Sequence, residues 1–131
     1  MKAAILVEQN KPLVVDEVTP HDLSVGQVLV RIEASSICGR QIGEITGAKG
    51  EDKFLPHLLG HEGGGIVKEI GLGVKTVKVG DKVVMHWRKG DGIESDFPQY
   101  DWNGKTIGGG LVTTFADYSI VSENRITPVP S

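Results

Sequence analysis

Short alternating segments, broken again and again by glycine, constrain this chain more than any other feature. Glycine occurs 18 times in 131 residues, about twice its usual share of roughly 7%. The glycines are dispersed between apolar segments, so a loop-rich β-protein explains them better than disorder does. GQVLVRIEASSI (26–37) carries the clearest alternation, with Val28, Val30 and Ile32 on one face and Leu29, Arg31 and Glu33 on the other. That is the period of a half-buried antiparallel strand. KAAILVE (2–8), PLVVDEVT (12–19), GGGIVKEIG (63–71), TTFADYSIVSE (113–123) and RITPVP (125–130) read as further strands, and VKTVKVGDKVVMH (74–86) breaks at Gly80-Asp81 in a turn. CGRQIGEITGAKG allows a short helix at best, with Ile42 and Ile45 on one face and glycines at 39, 43 and 47. The fold class is therefore mainly β: a barrel interrupted by one or two short helices.

Residues 87–110 differ in character. They hold Trp87, Phe97, Tyr100 and Trp102, four of the seven aromatics, with many charges and no strand period. This stretch is expected to be an excursion loop or small lobe, and loops of such length inside a compact domain usually serve a function.

Bulk properties exclude several classes. The length suits one domain. A formal net charge of -3 leaves no basic footprint for nucleic acid, and no apolar run reaches the roughly 18 residues of a membrane span. The amino-terminal MKAAILVEQNKP has too short an apolar run for a signal peptide, and a single cysteine suits a reducing compartment. A cytoplasmic location follows as the expectation.

Cys38, the only thiol, comes directly after the strand ending at Ile37, and His61 and Glu62 follow as neighbours 23 and 24 positions on. Cysteine, histidine and carboxylate form a donor set that zinc prefers, and a catalytic zinc takes three protein ligands and keeps one position open. Plainer readings stand beside this one: a small buried cysteine, a hydrogen-bonded turn histidine and a solvated glutamate. His21, His57 and His86 read as surface or loop residues. The run Gly63-Gly64-Gly65 marks a bulge, a tight barrel corner or the close approach of another backbone.

The stretch GHEGGGIVKEIGLGVKTVKVGDKVV (60–84) resembles the signature of the zinc-dependent medium-chain alcohol dehydrogenases, with G-H-E, a strand, then V-x-x-x-K-x-G-D-x-V. MKAAILVEQNKPLVVDEV, VGQVLVRIEASSICG and TTFADYSIVSENRITPVP extend the resemblance over nearly the whole chain except 87–110. It implies that residues 1–131 are one GroES-like catalytic domain, a partly open β-barrel. Cys38 and His61 would be zinc ligands, and Glu62 a carboxylate beside the metal that either tunes it from outside its ligands or ligates intermittently. The third zinc ligand and the nicotinamide-binding Rossmann domain are expected beyond residue 131, since no G-x-G-x-x-G opens a helix here. The implied function is that of the substrate- and zinc-binding domain of an NAD(P)-dependent alcohol dehydrogenase. Such a domain would be inactive alone, would act on a small alcohol or carbonyl compound, and would form a homo-oligomer at full length. No structural zinc site built from four cysteines is expected, because 87–110 holds no cysteine.

One stretch departs from the family's C-[GHR]-[ST]-D, reading Cys38-Gly39-Arg40-Gln41. Arg40 stays protonated and cannot relay a proton as a hydroxyl does, though it could hold a phosphate or carboxylate of cofactor or substrate. Gln41 is neutral where the family has a supporting aspartate. Two other readings remain: a zinc-independent quinone or enoyl reductase relative, and a non-enzymatic GroES-like binding module.

Overall fold

A computed structural model describes residues 1–48 and 50–130. Within them, eleven strands form two sheets: β1 (Lys2–Leu6), β2 (Val14–Glu17), β3 (Thr19–Pro20), β4 (Gln27–Ser35), β5 (His57–Leu58), β6 (Gly63–Ile70), β7 (Lys82–Met85), β8 (Gln99–Trp102), β9 (Lys105–Gly108), β10 (Tyr118–Ser122) and β11 (Ile126–Pro128). One α-helix, α1 (Gly39–Thr46), and one 3-10 turn, Glu123–Arg125, accompany them. The first sheet runs β2-β1-β5-β9-β8-β3 and the second β10-β4-β6-β7-β11, so neither closes on itself. The result is the expected mainly-β, partly open GroES-like barrel.

The alternation in β4 becomes packing. Val28 and Val30 are fully buried in a cluster with Val67, Val83, Met85, Val121 and Ile126, and Ile32 packs against its edge. Leu29 points the other way, toward a second cluster of Ala3, Ile5, Val18, Leu58, Tyr100, Ile107 and Ile120. Consecutive residues Ile120 and Val121 of β10 thus belong to different clusters, which joins the two cores through one strand. The first strand is completed from far away in sequence. Ala3 bridges Ala116, the Lys2 N–H donates to the Asp117 carboxylate, and the Asp117 N–H returns to Lys2 O.

Two of the three consecutive glycines, Gly63 and Gly65, answer to crowding by β4. A Cβ on Gly65 would be driven into the Arg31 carbonyl oxygen, with Val30 Cγ1 at 2.8 Å. One on Gly63 would lie 2.8 Å from Ala34 O and 2.9 Å from Thr114 Cγ2. The register between β4 and β6 shifts between Ile32 and Ala34, where a bulge carries the extra residue.

Residues 87–110 are not simply an excursion. Their second half is the hairpin β8–β9, seated in the first sheet between β3 and β5. Asn103 and Gly104 have φ of 50° and 76°, the pair of positive angles that a two-residue type I′ hairpin turn requires. Tyr100 is fully buried, and its hydroxyl accepts the Ile120 N–H at 2.7 Å. Removing that oxygen in Tyr100→Phe strands a buried donor, so the expected loss is about 1–3 kcal/mol, checked by urea unfolding. The first half of the stretch is held by polar contacts. The buried Glu123 carboxylate accepts Ile93 N–H at 2.9 Å, and Ser122 Oγ accepts Ser95 N–H at 2.8 Å. Trp87 takes no part in the core and is 47% exposed.

Candidate active site

The pairing of β4 with β6 sets up the site. Ser35 and Gly63 form its last pair, so the chain leaving β4 and the chain entering β6 diverge from a common point. Cys38 and His61 stand just past that point on the two segments. Cys38 Sγ lies 3.6 Å from His61 Nε2 and 3.7 Å from Nδ1, and both residues are half-buried.

Helix α1 begins at this thiol. Cys38 is its N-cap, and Sγ accepts the Arg40 N–H at 3.3 Å. Gln41, in the third helical position, reaches back so that its Oε1 accepts the Cys38 N–H at 3.0 Å, a capping box built with cysteine and glutamine. The Gln41 Nε2 meanwhile lies 2.6 Å from His61 Nδ1. The helix ends at Gly47. Its buried side chain is Gln41, 1% exposed, whereas Ile42 is 55% exposed. Of the expected apolar face Ile45 is half-buried and Ile42 exposed, and the one fully buried side chain is a carboxamide serving one backbone and one side-chain partner.

Glu62 turns elsewhere. Its carboxylate accepts the Ser36 hydroxyl at 3.0 Å and its backbone carbonyl accepts the Ser35 hydroxyl at 3.2 Å. Among the described residues, Cys38, His61 and Glu62 do not come together as a three-donor cluster with all ligand atoms within 4.8 Å. Glu44, Asp52 and His57 do. His57, expected on the surface or a loop, is instead in β5 with its side chain 15% exposed, bonded through Nε2 to Asp52 at 2.5 Å and through Nδ1 to Leu58 O at 2.8 Å. Burial pushes the Asp52 carboxyl up, but hydrogen bonds from His57 and Phe54 N–H outweigh it and hold the group below the usual range. Sequence held little to reveal this pair, since its partners meet only through the loop before β5. His21 and His86 are surface residues, bonded to Asp101 and to Thr127 and Arg88 O respectively.

A cavity of about 680 Å³ opens beside the pair. His61, Gln41, Arg40, Glu44 and His57 supply its polar wall, and Phe54, Leu58, Leu59, Phe97, Leu111 and Val112 much of the apolar remainder. Arg40 is exposed at this wall, its guanidinium carbon 5.8 Å from the centre of the Trp87 ring, within cation–π range. No carboxylate among the described residues pairs with it. A half-enclosed, mainly apolar pocket with a few convergent polar groups is the usual form of a small-molecule site.

A partly open barrel, with a thiol and an imidazole paired where two neighbouring strands diverge, places the chain in the class of GroES-like domains. The chain belongs to the alcohol dehydrogenase GroES-like domain family, whose profile matches residues 24–131. It is 42% identical over 87 residues to an alcohol dehydrogenase of Geobacillus stearothermophilus, covering 66% of this chain and 26% of that protein. To an alcohol dehydrogenase class-3 of Cereibacter sphaeroides it is 45% identical over 83 residues, covering 63% and 22%. The structure of an alcohol dehydrogenase zinc-binding domain protein from Burkholderia ambifaria superposes with a TM-score of 0.83 at 23% identity, over 99% of this chain and 42% of that one. The chain thus spans about a quarter of the length of the curated relatives it matches. No helix among the described residues is long and apolar enough to cross a membrane.

Proposed function

We propose that this chain is the substrate- and zinc-binding domain of an NAD(P)-dependent alcohol dehydrogenase, with Cys38 and His61 as the metal's protein donors. The separation of Cys38 Sγ from His61 Nε2, 3.6 Å, carries the reading. Zinc–sulfur and zinc–nitrogen bonds of about 2.3 and 2.05 Å at a tetrahedral angle hold their donor atoms about 3.6 Å apart. Both ring nitrogens now lie nearly equidistant from the sulfur, so His61 reaches that ion by turning its ring about the side-chain bonds. Glu62, one residue from His61, serves as the carboxylate reserve, released from Ser36 when it ligates.

When bound, zinc supplies Lewis-acid polarisation of a substrate oxygen, and a nicotinamide carried outside this chain supplies the hydride acceptor. The chain's own part is to bind and orient. Phe54, Phe97, Leu111 and Val112 give the substrate's carbon skeleton an apolar seat. Arg40 presents a permanent positive charge at the wall and suits a phosphate or carboxylate on cofactor or substrate. The proton released on alcohol oxidation leaves through water, since Arg40 cannot carry it. Homo-oligomer formation and a cytoplasmic location belong to the same reading of the full-length enzyme.

Zinc titration of the chain against a chromophoric chelator tests the proposal. One zinc per chain is expected, with Cys38→Ser weakening it by at least about 100-fold, more than the loss of an outer partner costs. Unchanged affinity in Cys38→Ser would remove Cys38 from the site. Zinc uptake by neither this chain nor the full-length protein would favour the zinc-independent quinone or enoyl reductase reading.

A further inference from the structure

We infer that Gln41 is a positioning residue that latches His61 beside Cys38 in a metal-free arrangement, by fixing the proton of the neutral His61 ring on Nε2. The inference rests on the zinc reading above for its consequence, but its first test is made on the metal-free chain.

Donor and acceptor counting leads to it. A carboxamide has one oxygen that accepts and one nitrogen that only donates, and its orientation is read from the bonds around it. The Cys38 backbone N–H, 3.0 Å away, must face the oxygen. The nitrogen is then the Gln41 atom lying 2.6 Å from His61 Nδ1. Because that nitrogen donates, Nδ1 presents its lone pair, and the neutral ring carries its hydrogen on Nε2. Cys38 Sγ, which receives the Arg40 N–H at 3.3 Å, stands beside the ring, 3.6 Å from Nε2 and 3.7 Å from Nδ1. Cys38 N–H, Gln41 and His61 are thus linked in series around the Cys38 sulfur. Gln41 is 1% exposed, so water does not compete for either end of its side chain.

A metal changes the count. An imidazole that ligates through Nε2 carries its hydrogen on Nδ1 and donates it to an acceptor. Here that Nδ1–H would meet the Gln41 amino group, donor against donor. Turning the carboxamide over relieves His61 but sets the amino group against the Cys38 N–H at the helix cap. A single amide oxygen cannot serve both, whereas a carboxylate, with two accepting oxygens, can. Gln41 therefore opposes metal capture, and Gln41→Glu should release it.

Long-range 15N–1H NMR of the metal-free chain near pH 8 reads the latch directly. The expected pattern shows His61 protonated on Nε2 in the wild type and on Nδ1 in Gln41→Glu. Zinc affinity, by chelator competition, should tighten about 10- to 100-fold in Gln41→Glu, the range for partners that orient a ligand. Ile42→Glu adds the same charge on an exposed neighbour and should tighten zinc less than about threefold, as a screened surface charge does. A wild-type ring protonated on Nδ1 overturns the latch, and so does equal tightening by Ile42→Glu. A wild-type ring protonated on Nε2 in a chain that no variant makes bind zinc would sustain the latch and sink the zinc reading.

Discussion

Alanine in place of Gly65 is expected to cost at least about 4 kcal/mol, close to the whole stability of a marginal domain. The new methyl group would overlap the Arg31 carbonyl oxygen and press on Val30 Cγ1. Overpacking usually costs about 1–3 kcal/mol because side chains can shift. A backbone carbonyl inside a strand ladder has no such freedom, so β4 and β6 must part at their bulge. Gly43→Ala is the natural control. It lies inside α1 with no atom outside the helix's own local backbone within 4 Å of the added carbon, and should leave stability unchanged or raise it by up to about 1 kcal/mol. Urea unfolding of the two variants checks the contrast, and similar midpoints would show that the triplet serves something other than close approach.

Glu123→Ala is expected to lose about 3–5 kcal/mol, since it strands three backbone N–H donors at about 1–3 kcal/mol each. The carboxylate is 1% exposed and accepts N–H groups from Lys75 at 2.7 Å, Thr76 at 2.9 Å and Ile93 at 2.9 Å. Burial raises its pKa, but the hydrogen bonds from Ile93, Lys75 and Thr76 prevail and hold it below the ordinary value. A depressed folded-state pKa gives stability that is complete above the unfolded carboxyl's value and is lost as pH falls through the folded one. The gap between wild type and Glu123→Ala should therefore be full at pH 7 and narrow below about pH 4. A gap that stays constant down to pH 2 would assign the effect to packing alone.

How much could be read in advance depends on whether the signal was local. β4 announced itself because both faces of GQVLVRIEASS meet different surroundings, and the alternation survives in the packing. The Cys38–His61 pair followed from the match to a known signature, although spacing alone left several readings open. The hairpin β8–β9 was missed for a physical reason: Asp101, Lys105 and Thr106 point to solvent at a sheet face, and only Tyr100 and Ile107 are buried. Its Asn103-Gly104 turn was nevertheless visible as a hairpin signal. β5 could not be foreseen, being two residues long and defined entirely by its neighbours β1 and β9. Gln41 read as a loss of charge; that it bonds both Cys38 and His61 depends on a helix cap meeting a loop twenty residues away.

The strand that opens the chain waits longest for its partners. β2 covers one flank of β1 early, but Leu58, Ala116 and Asp117 supply the other. At a synthesis rate of about 5–20 residues per second, the Ala3–Ala116 bridge closes roughly 6 to 22 seconds after β1 is made. Until β5 is made, an apolar Ala-Ala-Ile-Leu edge is open to any other strand that reaches it, and its Ala3 end stays open for the whole interval. The finished barrel hides this edge, so its aggregation hazard belongs to the nascent chain, and a truncation before Ala116 would make it permanent.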